Sequence, residues 1–374
     1  MRFGVLGTGF WAKEIHAPAL AEHPDAELVG VWGRDLAKAK AFGAAFDVPG
    51  YGDVDELLSD VDAVAFSLPP DVQAPLAVRA AEAGKHLLLE KPIALTVPDA
   101  DRLVDAVQAA GVASVVFFTF RFQQGTATWL TQAARTNLVS GSVTWLGANY
   151  APDSPFRDSA WRIEHGALWD IGPHTLSLLV PTLGPVESVQ ATGGQGDLVH
   201  LVFTHGGGRT STATLSLTAA PLAAGVEIWV HGDAGRLVLL PPLDAAVAAH
   251  QAAVDELAGQ HGLFITGQLS VRVEDLTLIS DAMARLRTSP PSSLLGRPVT
   301  FTDLALDDPP VDAVRLLGDG VRVIVRPSGT EPKLKAYLET VVPVHDDAGL
   351  IAARGRGEDE LDQLRAEMSA ALGL

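Results

Sequence analysis

His86-Leu87-Leu88-Leu89-Glu90-Lys91-Pro92 decides how this chain is read. The run follows a break at Gly84 and is apolar as far as Leu89. A short continuous apolar run after a breaker is the pattern of a strand buried on both faces of a parallel sheet. Pro92 has no N–H to give the ladder, so the strand stops there. Lys91 is thereby expected at the carboxyl end of a strand, where open α/β sheets bind their ligands. The alternative is a surface lysine beside an ordinary turn, and the flanking sequence chooses between the two.

Towards the amino terminus the same rhythm recurs. Phe3 to Leu6 reads as a strand, followed by Gly7-Thr8-Gly9-Phe10-Trp11-Ala12 and a helical stretch. This is a G-x-G-x-x-G/A turn between strand and helix. The first glycine permits the tight turn, the second lets the backbone approach a pyrophosphate, and small Ala12 lets helix and strand pack closely. The helix amino terminus then offers free N–H groups to the anion. The next strand, 28–32, ends in Gly33-Arg34-Asp35. A carboxylate there binds a ribose 2′-hydroxyl, whereas an arginine fork suits a 2′-phosphate. Arg34 points to NADP; the alternative is NAD, with Asp35 on the ribose. Strands at 63–67 and 112–119 alternate with helices at 37–46, 54–58, 71–83 and 99–109. That alternation predicts a doubly wound parallel sheet.

After Phe120 the pattern changes. Strand-like runs at 142–150, 186–192, 197–204, 209–218, 226–231 and 235–240 follow one another, which predicts a mostly antiparallel open sheet in an α+β domain. Within it lie Trp161-Arg162 and Gly166-Ala167-Leu168-Trp169-Asp170-Ile171-Gly172-Pro173-His174. Asp170 and His174 are four apart and share a face if the segment is helical; Pro173 fits the first turn of a new helix instead. Histidine suits proton transfer near neutrality, and a nearby carboxylate would orient it and raise its pKa. The plainer reading of such a pair is a structural hydrogen bond.

Taken together, the glycine turn, Glu90-Lys91-Pro92 and the Asp170-Ile171-Gly172-x-His174 element resemble the glucose–fructose oxidoreductase/inositol dehydrogenase (Gfo/Idh/MocA) family over about residues 1–255. The resemblance implies a Rossmann domain, 1–119, and an open-sheet substrate and oligomerisation domain, 120–258. It also implies NAD(P)-dependent oxidation or reduction of a sugar or polyol. Lys91 would bond the reacting oxygen, His174 would be the general acid/base, and Asp170 would bind substrate and orient the site. Arg121, Trp161 and Arg162 sit where the family often meets substrate. Gly7, Thr8, Gly9, Phe10, Trp11 and Arg34 would contact the dinucleotide, with Ser67, Leu68, Pro69, Glu90 and Lys91. Two positions depart from the family: Gln73 replaces a frequent histidine, and Ser177 replaces an aspartate.

Beyond about Leu257 the sequence changes character. Two strands, 313–317 and 321–326, lead to Arg326-Pro327-Ser328-Gly329-Thr330-Glu331-Pro332-Lys333, with a strand at 337–342 and a helix at 358–371. An arginine, two hydroxyls and a glycine exposing backbone N–H groups make an anion cradle. This run resembles the carboxyl-terminal domain of phosphomannomutases and phosphoglucomutases over about 262–374. The resemblance implies a sugar phosphate held by Arg326, Ser328, Gly329 and Thr330. No phosphoserine loop or Asp-x-Asp-x-Asp metal loop accompanies it, so mutase activity is not expected. A fusion with its join near Val254–Ala258 is the simplest account. Helix 273–286, with an apolar stripe of Leu276, Ile279, Met283 and Leu286, is a candidate for the oxidoreductase's return helix.

Composition bounds the rest. The chain has 374 residues, 27 Lys plus Arg against 45 Asp plus Glu, and no cysteine. The excess of acid argues against nucleic acid or an anionic membrane as partner, and without cysteine there is no thiolate or disulfide chemistry. No apolar run approaches the roughly 18 residues of a membrane span, and the first residues enter a strand rather than a leader. A cytoplasmic location is expected, with association through the open sheet into homo-oligomers. No metal site stands out; His231, His250 and His261 read as surface or structural. The alternative to an oxidoreductase is a phosphosugar-binding or phosphomannomutase-related fusion without turnover.

Overall fold

A computed structural model describes residues 1–152, 154–239, 246–272, 277–306, 310–327, 333–344 and 347–373. The chain divides into two compact units, Arg2–Glu256 and Leu257–Leu374.

The first unit holds two sheets. The first comprises β1 (Arg2–Leu6), β2 (Glu27–Trp32), β3 (Gly50–Tyr51), β4 (Ala63–Phe66), β5 (His86–Leu89) and β6 (Ser114–Val116). All pairs are parallel, in the order β3-β2-β1-β4-β5-β6. Strands β4 and β5 are buried at every residue, the reason their sequences are apolar without alternation. The helices between them are stopped and started by local chemistry. Asp35 caps helix Leu36–Gly43 by accepting from the N–H groups of Ala37 and Lys38. Thr96 caps Val97–Ala110, which ends on Gly111 at φ 64°. The connections reverse direction between β1 and β4, so the crevice for a ligand opens at the ends of those strands. The last strand is shorter than the 112–119 expected from sequence.

The second sheet comprises β7 (Leu138–Leu146), β8 (Val186–Gly193), β9 (Val199–His205), β10 (Arg209–Ser216), β11 (Gly225–Gly232) and β12 (Gly235–Leu239). Its order is β12-β11-β7-β10-β9-β8. It is antiparallel except at its centre, where β7 and β10 run parallel. The inner face packs Val143, Trp145, Leu201, Phe203, Leu215 and Ile228 against Leu178, Leu179 and Leu183 of helix Gly172–Leu183. The outer face is rich in hydroxyls, and Thr212 donates to Ser142 at 3.0 Å across the parallel pair.

Helix Ala246–His261 has no counterpart in the sequence reading. Its His250 is fully buried, with its ring 4.7 Å from that of His16 and 5.2 Å from Phe117. Asp255 of the same helix lies 3.3 Å from His23 Nε2. This helix, not 273–286, packs on the Rossmann sheet's first helical turn, so the return-helix expectation is corrected. The helix Thr277–Thr288 instead buries Ile279, Met283 and Leu286 in the core of the second unit. Of the two readings of His250, surface or structural, the buried structural one holds.

The second unit is one antiparallel sheet. It comprises β13 (Leu263–Arg272), β14 (Ser293–Leu294), β15 (Arg297–Asp303), β16 (Val314–Gly318), β17 (Val321–Pro327) and β18 (Lys333–Val342), in the order β13-β18-β17-β16-β15-β14. Val323, Val325, Ala336 and Leu338 face Leu364 and Met368 of the terminal helix Asp347–Leu372. Among the described residues no helix is long and apolar enough to cross a membrane.

Candidate functional site

The site is built at the ends of β1, β4 and β5. Gly7 follows β1 with φ 125°, a conformation that L side chains rarely adopt. A Cβ there would lie 2.2 Å from the carbonyl oxygen of Ser67 after β4. Two strand ends therefore approach each other as only glycine allows. Gly9 is different: among the described residues a Cβ on it would meet no atom within 4 Å. That open space adjoins a cavity of about 400 Å³ whose walls include Gly9, Phe10, Trp11, Ser67, Leu68 and Pro69. A tight turn, an exposed glycine backbone and a helical turn starting at Ala12 fit a dinucleotide pyrophosphate. The turn Ala12–His16 is wound as a π-helix rather than an α-helix.

Lys91, after β5, lines the same cavity. Its Nζ donates to Asp170 Oδ1 and to the Asp170 carbonyl, both at 2.7 Å. Arg162 Nε donates to the other carboxylate oxygen at 2.9 Å. Asp170 is thus a buried anion between two cations. Its burial works against ionisation, but attraction to Lys91 and then Arg162 outweighs that and holds its carboxyl well below the usual range. The guanidinium of Arg162 also lies over the Phe156 ring at 4.4 Å. Phe156 in turn meets Phe10 edge-on at 5.4 Å and stacks on Trp11 at 6.3 Å. Phe10, Trp11, Phe156 and Trp161 give the cavity an aromatic wall.

Glu90 does not offer its carboxylate to the cavity alone. Oε1 is 3.1 Å from Nε2 of fully buried His16, and Oε2 accepts from the Lys91 N–H at 3.2 Å. The Glu90 backbone is held by Gln73, whose Nε2 donates to its carbonyl at 2.7 Å and whose Oε1 accepts its N–H at 2.9 Å. The buried Gln73 amide replaces a neighbouring strand at the point where the ladder ends. Sequence comparison marks Gln73 only as a departure; the structure gives it a function. Gln73→Ala would leave two buried backbone groups unpaired, at about 1–3 kcal/mol each. Denaturant unfolding is expected to show a loss of about that size, whereas a surface substitution such as Asp71→Ala stays within about 0.5 kcal/mol.

His174 is buried to 6% exposure. Its ring stacks on Trp145 at 5.5 Å and meets Phe120 and Phe118 edge-on at 5.4 and 6.2 Å. Its Nδ1 has no hydrogen-bond partner among the described residues. Burial pushes its pKa well below the ordinary histidine value, and the Lys91 charge adds to this against an opposing effect of Asp170. Asp170 does act to raise it, as expected from sequence, but burial and Lys91 outweigh that effect and the net direction is downward. Nor do the two residues share one helix: Ala160–Asp170 ends at Ile171, and Gly172–Leu183 begins a new one with Pro173 in its first turn. Both Asp170 oxygens are taken by Lys91 and Arg162.

Lys91, Glu90, Asp170, Trp161, Arg162, Gly9, Phe10, Trp11, Ser67, Leu68 and Pro69 come together around the cavity. Arg121 is exposed and outside its walls. Thr8 packs its methyl where a side chain on Gly33 would stand. Arg326 donates from Nη2 to the Tyr337 hydroxyl at 3.1 Å; Ser328, Gly329 and Thr330 lie outside the described residues. Among the described residues no group of three metal-ligating side chains forms. Phe156, His16 and Asp197, which accepts from the Ala167 N–H, escaped sequence reasoning, because nothing in their local sequence distinguishes them.

Comparison with known proteins agrees with this architecture. The model of the oxidoreductase family NAD-binding Rossmann fold matches residues 1–118, and that of the GFO/IDH/MocA C-terminal domain matches 132–238. The uncharacterized oxidoreductase ORF334 of Rhizobium meliloti is 32% identical over 244 residues, 61% of this chain and 72% of that protein. The chain belongs to the Gfo/Idh/MocA oxidoreductase family. Its likeness extends to the dTDP-3,4-didehydro-2,6-dideoxy-alpha-D-glucose 3-reductase of Streptomyces antibioticus, 35% identical over 195 residues, 50% of this chain and 57% of that enzyme. The chain spans about half the length of some other curated relatives, 52% in one case. Among solved structures, an NAD binding oxidoreductase from Klebsiella pneumoniae superposes with a TM-score of 0.59 at 27% identity, covering 64% of this chain and 73% of that one. Family membership stops short of the second unit. There the phosphoglucomutase/phosphomannomutase C-terminal domain matches residues 269–348, so a mutase-type domain follows the Gfo/Idh/MocA portion.

Proposed function

We propose that the chain is an oxidoreductase that moves hydride between NADP and a hydroxyl-bearing or carbonyl carbon of a sugar or polyol. The observation that carries this reading is Lys91. An ammonium has three donors, and Asp170 takes two of them, at 2.7 Å each. The third is left for a substrate oxygen in the cavity, where positive charge stabilises a developing alkoxide. Asp170 and Arg162 hold that ammonium in place. His174, whose pKa burial pushes below the ordinary histidine value and which is not in the cavity wall, would take the hydroxyl proton in oxidation and return it in reduction. Gly7, Gly9 and the turn after them would hold the dinucleotide, which supplies the hydride acceptor or donor when bound. Support for a sugar substrate comes from the dideoxyglucose reductase relative. Association into oligomers would use the outer face of the second sheet.

The choice of NADP rests on two neighbours. The Asp35 carboxylate is engaged in capping its helix, at 3.0 and 3.2 Å from the Ala37 and Lys38 amides. Arg34 is exposed at the end of β2. A guanidinium on a phosphate forms charge-assisted bonds. Arg34→Ala is expected to weaken NADPH about tenfold or more while changing NADH by less than about twofold, since tenfold is about 1.4 kcal/mol. Nicotinamide fluorescence titration reads both. Equal effects on the two dinucleotides would reject the role of Arg34, and binding of neither would reject the enzyme.

The mutase-type domain supports a second reading, a sugar phosphate held near Arg326 without turnover. Arg326 stands opposite Lys335 in the β17–β18 ladder. Calorimetric titration with a hexose phosphate, beside a turnover screen over sugars and inositols, separates the two.

A further inference from the structure

Arg162 and Asp170 are eight residues apart, yet Arg162 Nε lies 2.9 Å from Asp170 Oδ2. An unbroken helix would place them about 12 Å apart along its axis. The pair forms because the helix Ala160–Asp170 breaks at Gly166, where φ is 65° and ψ −165°. The break turns the segment that carries Arg162 back towards the one that carries Asp170. The first amide after the break, Ala167 N–H, donates to Asp197 Oδ2 at 3.1 Å.

Asp197 comes from the loop between β8 and β9. Its carboxylate also accepts the Leu217 N–H at 3.1 and 2.9 Å, and the Ser216 and Thr218 hydroxyls, both at 2.8 Å. Those residues sit at and just beyond the end of β10. One carboxylate thus ties the restarting helix to the sheet. A Cβ on Gly166 would stand 3.2 Å from the Asp197 Cβ, so the two residues close on each other as well.

We infer that Asp197 is a positioning residue for the Lys91–Asp170–Arg162 cluster: it fixes the Gly166 break and so holds Arg162 on Asp170. The inference rests on reading that cluster as the reactive site. Asp197 is not in the cavity wall. It acts through the Ala167 amide, three residues before Asp170. Without it the short segment 167–170 loses its amino-terminal acceptor, and Asp170 is free to turn away from Arg162 and Lys91.

The test measures the coupling between Arg162 and Asp170 rather than overall stability. A double-mutant cycle with Arg162→Ala and Asp170→Asn, read by denaturant unfolding of the full chain, is run in the wild type and in Asp197→Ala. In the wild type the coupling is expected to change the folding constant about tenfold; in Asp197→Ala it falls below about twofold. Asp197→Asn, which keeps one acceptor oxygen, gives a value between them and serves if the alanine variant does not fold. On the same proteins kcat/KM falls about 100-fold, while the NADPH dissociation constant stays within about twofold. A coupling that survives in both Asp197 variants overturns the inference, because a generic loss of stability would leave it intact. A wild-type chain that turns over no sugar overturns the activity proposed above and leaves the coupling test in force.

Discussion

Lys91→Ala is expected to lower turnover in the proposed reaction about 10³-fold, the scale of removing one charged donor from a developing oxyanion. NADPH binding is expected to stay within about threefold, because the Gly7–Gly9 turn is built on a different strand end. The variant has a second signature. Asp170 keeps only Arg162 as a counter-cation, so its carboxyl rises from its depressed value. A carboxylate whose folded pKa is depressed contributes stability that is fully present above its unfolded pKa, about 4. That stability is lost as pH falls through the folded value. In the variant the folded and unfolded values draw together, so less stability is present at neutral pH and less is lost in acid. Unfolding between pH 3 and 7 should show a shallower pH dependence than the wild type. Lys91→Arg keeps the charge and should restore the pH dependence without restoring full turnover, since a guanidinium does not reproduce the placement of an ammonium. Turnover within tenfold of wild type in Lys91→Ala would remove Lys91 from the reaction.

Gly7→Ala and Gly9→Ala should behave oppositely, and this is the second large effect. A methyl at Gly7 meets the Ser67 carbonyl at 2.2 Å in a backbone held at φ 125°. The Gly7 N–H bonds the Trp32 carbonyl at 2.9 Å and the Ser67 N–H bonds the Leu6 carbonyl at 2.8 Å, so neither side moves without breaking the sheet's end. A loss of about 3 kcal/mol or more is expected, read as a lowered unfolding midpoint and loss of dinucleotide binding together. A methyl at Gly9 meets no atom of the described residues within 4 Å. Gly9→Ala should therefore unfold like the wild type and bind NADPH at least about tenfold more weakly, because the methyl occupies the space a pyrophosphate needs. Normal NADPH affinity in a folded Gly9→Ala protein would show that the pyrophosphate lies elsewhere.

The parts that sequence made legible share a physical character. Apolar runs of full burial and glycine turns with backbone demands are local, so β1, β4, β5 and the Gly7–Ala12 turn could be read directly. The helix Ala246–His261 could not, because its alanine-rich sequence offers little contrast between a buried and an exposed face. Strand Leu263–Arg272 went unassigned for a similar reason: Thr266, Gly267, Gln268 and Ser270 interrupt its apolar pattern, and pairing with β18 stabilises it.

The sequence by itself determined which side chains are available and near one another in the chain: a lysine at a strand end, a glycine turn, an Asp/Arg/His set, and a mutase-type segment after them. These depend on residue type and near spacing. Only the tertiary structure decided how the charges are spent. Asp170 faces Lys91 and Arg162 rather than His174, because a helix break at Gly166 and another at Ile171 redirect its neighbours. Burial against Phe118, Phe120 and Trp145, three rings from two segments, pushes the His174 pKa well below the ordinary histidine value. Burial and long-range pairing set those energies, and neither exists until strands distant in sequence are brought together.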